Sequence, residues 1–134
     1  MVEFMGVSIL IVDDLAFVRM MIKDILMKHG FTECYEAANG IEALKKYNEI
    51  KPTIVLLDIT MPILNGIETL QRLMLVDPHA KVVMCSALGQ QKLIVSAIRL
   101  GAKDFIVKPF KEDRLISAIK KAIEAPRTVD MDLV

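Results

Sequence analysis

Five residues with reactive side chains follow apolar runs. Asp13 and Asp14 come after Ser8–Val12, Asp58 after Thr53–Leu57, Ser86 after Lys81–Cys85 and Lys108 after Phe105–Val107. Three carboxylates converging in a partly desolvated cleft repel one another, and the remedies are a raised pKa or a bound cation. The set contains no His or Cys. An all-oxygen set with room for water suits Mg²⁺ better than zinc or a fully caged Ca²⁺. Phosphoryl transfer needs a nucleophilic oxygen, a metal to neutralise the phosphoryl oxygens, a cation opposite and a further donor. Asp58 can be the nucleophile, Mg²⁺ can be held by Asp13, Asp14 and a loop carbonyl, Lys108 can be the counter-cation and Ser86 the hydroxyl donor. Each residue also has a plainer use. Asp13 and Asp14 suit a helix cap, Asp58 a turn, Ser86 a cap and Lys108 a solvated surface. Their joint position at strand ends favours the chemical reading.

The runs that carry these residues are aliphatic without polar alternation, the pattern of strands covered on both faces in a parallel sheet. In open sheets of that kind, ligands bind in the crevice beyond the carboxyl ends of the strands. Between the runs the pattern becomes helical. Val18, Met21, Ile22, Ile25 and Leu26 mark a first helix, with Asp14 as its cap and Gly30 as its left-handed stop. Glu33–Ala37 reads as a short mixed strand. Ile41, Leu44 and Tyr47 mark a helix stopped before Pro52, and Ile67, Leu70, Leu73 and Met74 one opened by Asn65-Gly66 and broken at Asp77-Pro78. Leu93, Ile94, Ala97 and Ile98 mark a fourth helix ending at Gly101. Leu115, Ile119, Ala122 and Ile123 mark a fifth, ended by Pro126. Five strands alternating with five helices, joined by right-handed crossovers, predict the α/β class: one parallel sheet with helices on both faces.

At 134 residues the chain reads as one domain spanning 8–125, with 1–7 and 126–134 as flexible ends outside the fold. Lys plus Arg balance Asp plus Glu at 17 each, and no basic run suggests a nucleic-acid footprint. Mean hydropathy is high at +0.44. No apolar run approaches the ~20 residues of a membrane span, and the N-terminus lacks a signal-peptide pattern, so a cytoplasmic location is expected. Cys34 and Cys85 match no metal spacing and read as packed thiols in a reducing compartment.

Five motifs in order carry a resemblance. They are Asp13-Asp14, Asp58 with Met61-Pro62 and Asn65-Gly66, Ser86-Ala87, Gly101-Ala102-Lys103-Asp104-Phe105, and Lys108-Pro109-Phe110. Together they resemble the receiver domain of two-component response regulators, from about Ser8 to Ala125. Ala16-Phe17-Val18-Arg19, the stretch Cys85 to Gln91 and the lack of a visible output domain make the likeness greatest to that family's single-domain chemotaxis regulators.

The resemblance implies a flavodoxin-like (βα)5 fold of strand order 2-1-3-4-5. It implies a phosphoryl group accepted by Asp58 from a chemotaxis-type histidine kinase, with Mg²⁺ on Asp13, Asp14, Asp58 and the Thr60 carbonyl. Ser86 would then move toward the phosphoryl group and vacate space for Phe105, changing a surface that includes Lys92, Val95, Arg99 and Phe105. The expected reader of that surface is a flagellar motor switch protein, and a separate phosphatase is expected to remove the phosphoryl group. The chain is not expected to be an enzyme beyond its own phosphorylation and dephosphorylation. Two departures stand out. Phe105 lacks the hydroxyl of the tyrosine often found at its position, and Thr60 replaces a common amide or acid. A phosphorelay intermediate serving a histidine phosphotransfer protein is the alternative within signalling. A haloacid-dehalogenase-like phosphatase expects a second Asp where Thr60 stands, and an FMN protein would need a phosphate loop where Asp13-Asp14 would repel it.

Overall fold

The computed structural model describes Phe4 and residues 6–125. Strand β1 (Ser8–Val12) leads to helix α1 (Ala16–Lys28), then β2 (Glu33–Ala37), α2 (Gly40–Ile50), β3 (Ile54–Leu57), α3 (Gly66–Val76), β4 (Val82–Ser86), α4 (Gln91–Leu100), β5 (Asp104–Val107) and α5 (Glu112–Glu124). All neighbouring strands are parallel, in the order β2-β1-β3-β4-β5. This is the flavodoxin-like arrangement implied by the resemblance.

The central strands are apolar throughout because both sheet faces are covered. Ile9, Ile11, Ile54, Leu56, Val83 and Ile106 face α1 and α5, where they meet Ile22, Leu26, Leu115 and Ile119. The alternate residues Leu10, Val12, Val55, Leu57, Val82 and Met84 face Tyr47, Leu70, Leu73 and Ala97 of the other three helices. The mixed pattern of β2 fits its place at a sheet edge, where Glu33 and Tyr35 stay exposed. Among the described residues no helix is long and apolar enough to cross a membrane.

Local chemistry sets the helix ends. Asn39 and Asn65 cap α2 and α3 by accepting from the amides of Glu42 and Glu68, and the Asn65 amide returns a bond to Glu68 Oε1 at 2.8 Å. Gly30, at φ 94°, closes α1 with paired bonds from the Gly30 and Phe31 amides to the Met27 and Leu26 carbonyls, as its permissive backbone allows.

Five expectations are corrected. Asp14 does not cap α1: Leu15 occupies the cap position without a side-chain bond, and Asp13 accepts from the Leu15 amide instead. Met21, Ile41 and Ile98, which the periodicity places on core faces, are exposed, because Ile22 with Leu26, Ala43 with Tyr47, and Ala97 already fill the contacts of α1, α2 and α4. Finally, Phe4 is not outside the fold. Its ring is buried, stacks on Phe31 with centroids 4.1 Å apart and lies under the Lys120 ammonium. The stretch 126–134, expected to be a flexible end, lies outside the described residues.

Candidate functional site

The register of β1 and β3 pairs Val12 with Leu57, so the next residues, Asp13 and Asp58, emerge side by side at the carboxyl edge of the sheet. Asp13 donates its amide to Ala37 O and Asp58 its amide to Val12 O, which fixes both backbones to neighbouring strands. Carboxylate oxygens of Asp13, Asp14 and Asp58 lie within 4.8 Å of one another, with Asp13 and Asp58 buried and Asp14 exposed. Lys108, brought in by β5, donates to Asp13 Oδ2 at 2.6 Å and stands 3.8 Å from Asp58 Oδ1. Three carboxylates thus face one ammonium.

Electrostatics follow from this imbalance. Burial, joined by the charges of Asp13 and Asp14, pushes the Asp58 carboxyl up to about 6 against the opposing pull of Lys108. For Lys108, burial acts against its charge, but the hydrogen bond to Asp13 and the nearby carboxylates outweigh it and hold the ammonium above the ordinary lysine value.

The cluster fits a hard divalent cation, since oxygen donors converge with two negative charges in excess of Lys108. The carbonyl of Thr60, in the loop after β3, enters no hydrogen bond among the described residues. That loop lies close against the site. A Cβ at Gly66 would sit 2.1 Å from the Asp58 carbonyl, so only glycine fits there. Ile63 has φ 71° at the centre of a three-residue turn closed by the Leu64 amide on Pro62 O, a rare setting for a β-branched residue.

Ser86 is fully buried, but its Oγ accepts from the Leu88 amide at 3.2 Å and makes no bond to Asp58. Phe105 is also inside, at 7% exposure, in the cluster containing Met84, Ala97 and Ala102. The expectation that Phe105 lies on the partner surface therefore does not hold in this structure, where the ring is buried. A ring without a hydroxyl has no polar atom to draw it to water.

A response regulator receiver domain profile matches residues 9–120. The chain belongs to the response regulator receiver family. The receiver is 55% identical to the chemotaxis protein CheY of Thermotoga maritima over 87% of this chain and 98% of the relative, and 54% identical to that of Bacillus subtilis over 89% and 99%. Among solved structures, it is similar to a CheX–CheY–BeF3–Mg complex from Borrelia burgdorferi at TM-score 0.83 and 38% identity, covering 86% of this chain and 87% of that one. These likenesses make the receiver a close relative of chemotaxis response regulators.

Within the receiver, Lys92, Val95 and Arg99 share an exposed groove along α4 with Gln91 and Ser96. Arg19 has a role that its sequence motif does not show. Its Nη1 donates to the Asp13 carbonyl at 2.7 Å and its Nε to Glu36 Oε1 at 2.9 Å. No spacing signal points to that pairing, because it crosses from α1 to β2.

Proposed function

We propose that the protein is a chemotaxis response regulator of the cytoplasm that accepts a phosphoryl group on Asp58 from a histidine kinase. The observation that carries this reading is a buried Asp58 carboxylate grouped with Asp13 and Asp14 and 3.8 Å from the Lys108 ammonium. Asp58 Oδ attacks the phosphorus of a phosphohistidine, the P–N bond breaks, and the imidazole leaves with its electron pair and takes up a proton. Asp13, Asp14, Asp58 and the Thr60 carbonyl would hold Mg²⁺, which would supply charge neutralisation for the phosphoryl oxygens. Lys108 supplies the opposing charge from β5, and it can turn from Asp13 toward the new group without leaving the site.

Switching follows from Ser86. When the Ser86 side chain turns to donate to a phosphoryl oxygen, its Oγ swings away from the Leu88 amide that it accepts from, and the loop between β4 and α4 is released. The exposed face of α4 with Lys92, Val95 and Arg99 changes with it, and a flagellar motor switch protein reads the change. Thr60 and Leu88, the side chains flanking the approach of a hydrolytic water by resemblance, offer it little orientation. A separate phosphatase is therefore part of the reading.

The test is transfer of labelled phosphoryl from an autophosphorylated chemotaxis-type histidine kinase, followed by binding of the charged protein to a flagellar motor switch protein. Transfer with binding supports the reading. Transfer with preferential passage of the label to a histidine phosphotransfer domain would make the protein a relay intermediate instead.

A further inference from the structure

Arg19 lies beside the acidic pocket, but its contacts serve neither the core nor the phosphoryl chemistry described above. It sits on the first turn of α1, its side chain only 16% exposed, and it bonds in two directions. Nη1 donates to the Asp13 carbonyl at 2.7 Å, and Nε donates to Glu36 Oε1 at 2.9 Å. Glu36 is itself anchored, because its strand pairs with β1 and its carbonyl accepts from Lys46 of α2. The guanidinium thus ties the end of β1 to β2 just where the chain turns into the pocket.

What this tie fixes is a peptide. The Asp13 amide is held by Ala37 O, its carboxylate by the Leu15 amide and Lys108, and its carbonyl by Arg19. With all three held, the plane of the Asp13–Asp14 peptide is set, and with it the direction in which the Asp14 side chain leaves the backbone. Asp14 depends on this. It is exposed, and no described residue hydrogen-bonds its carboxylate, so its presence within 4.8 Å of Asp13 and Asp58 comes from the peptide that carries it.

We infer that Arg19, oriented by Glu36, is a positioning residue that holds the Asp13–Asp14 peptide so that both carboxylates face Asp58 as a preformed divalent-cation site. The inference rests on the metal reading of the acidic pocket. Outer partners that orient metal ligands commonly contribute about 10–100-fold in affinity. A planar guanidinium is suited to the task because its fixed fork serves two acceptors at a set angle, which a lysine ammonium cannot do as rigidly.

The test is calorimetric titration of Mg²⁺ into unphosphorylated wild type, Arg19→Met, Arg19→Lys, Glu36→Gln and Arg19→Met/Glu36→Gln, with urea denaturation of each in EDTA. Arg19→Met keeps the apolar stem and removes the donors, and its Mg²⁺ affinity is expected to fall roughly tenfold while the chain stays folded. Arg19→Lys should recover part of the loss. Glu36→Gln should lose less than Arg19→Met. The double variant should bind no more weakly than Arg19→Met, because Glu36 acts through the arginine. Should Arg19→Met fail to fold, Glu36→Gln and Arg19→Lys carry the same comparison. Unchanged affinity in folded variants, or full additivity of the two losses, would overturn the inference while leaving the metal site standing. Absence of Mg²⁺ binding in the wild type would refute the metal reading itself.

Discussion

Replacing Asp58 by Asn should stabilise the metal-free protein at neutral pH, even though it removes the central residue of the site. Asp58 is buried, and its carboxyl is pushed from 3.8 to about 6, first by loss of solvent and then by Asp13 and Asp14, with Lys108 opposing. The folded chain therefore binds the Asp58 proton more tightly than the unfolded chain. This favourable contribution is complete below the unfolded value of 3.8 and is lost as the pH rises through about 6. A shift of roughly two units corresponds to about 3 kcal/mol. Asn cannot ionise, so Asp58→Asn should exceed wild type by up to about 3 kcal/mol above pH 7, with the gap shrinking toward pH 4. Urea denaturation of both proteins in EDTA across that range measures the gap directly. Added Mg²⁺ should narrow it by stabilising wild type more than the variant. A gap independent of pH, or a variant less stable than wild type at pH 7.5 in EDTA, would show that Asp58 is not held in a charge-penalised setting.

Three further predictions concern other parts of the molecule. Phe4→Ala should cost about 3 kcal/mol in chemical denaturation, near the low end for a buried Phe, by removing the ring stacked on Phe31; a loss under about 1 kcal/mol would place that ring outside the cooperative fold. Lys108→Ala should still take a phosphoryl group from acetyl phosphate but should not show the NMR shifts of the loop between β4 and α4 seen in wild type, and normal shifts would remove the coupling role of the lysine. Thr60→Asn/Leu88→Glu should lose its phosphoryl group roughly tenfold faster after donor removal, since both new side chains can orient a water; equal or slower decay would mean that these positions do not limit water attack.

What the sequence made legible depended on whether the signal was local. Ile9–Val12 and Ile54–Leu57 could be read as central strands because burial on both faces removes polar alternation, and their last residues then located the acidic edge. Gly30 and Asn65-Gly66 marked helix ends for reasons of backbone freedom and capping that lie within a few residues. Signals that need the fold were out of reach. Lys108 bonds Asp13 more closely than Asp58, a choice made across 95 residues of sequence. Phe4 is held by Phe31 and Lys120, neither of which any periodicity links to it. Arg19 finds Glu36 only because β2 pairs with β1 beneath α1. Helical spacing assigned Met21 and Ile98 to the core, but spacing describes a stripe, and how wide a stripe is covered depends on the neighbouring elements.

The central claim is that Asp58 accepts a phosphoryl group in a reaction that depends on the divalent-cation site. Intact-mass measurement after incubation with acetyl phosphate, followed by peptide mapping, tests it most directly, using wild type with Mg²⁺, wild type with EDTA, and Asp58→Asn with Mg²⁺. The account predicts a single added phosphoryl group on the peptide containing Asp58 in wild type with Mg²⁺ only. Modification that persists in Asp58→Asn at the wild-type rate, or proceeds equally in EDTA, would contradict it.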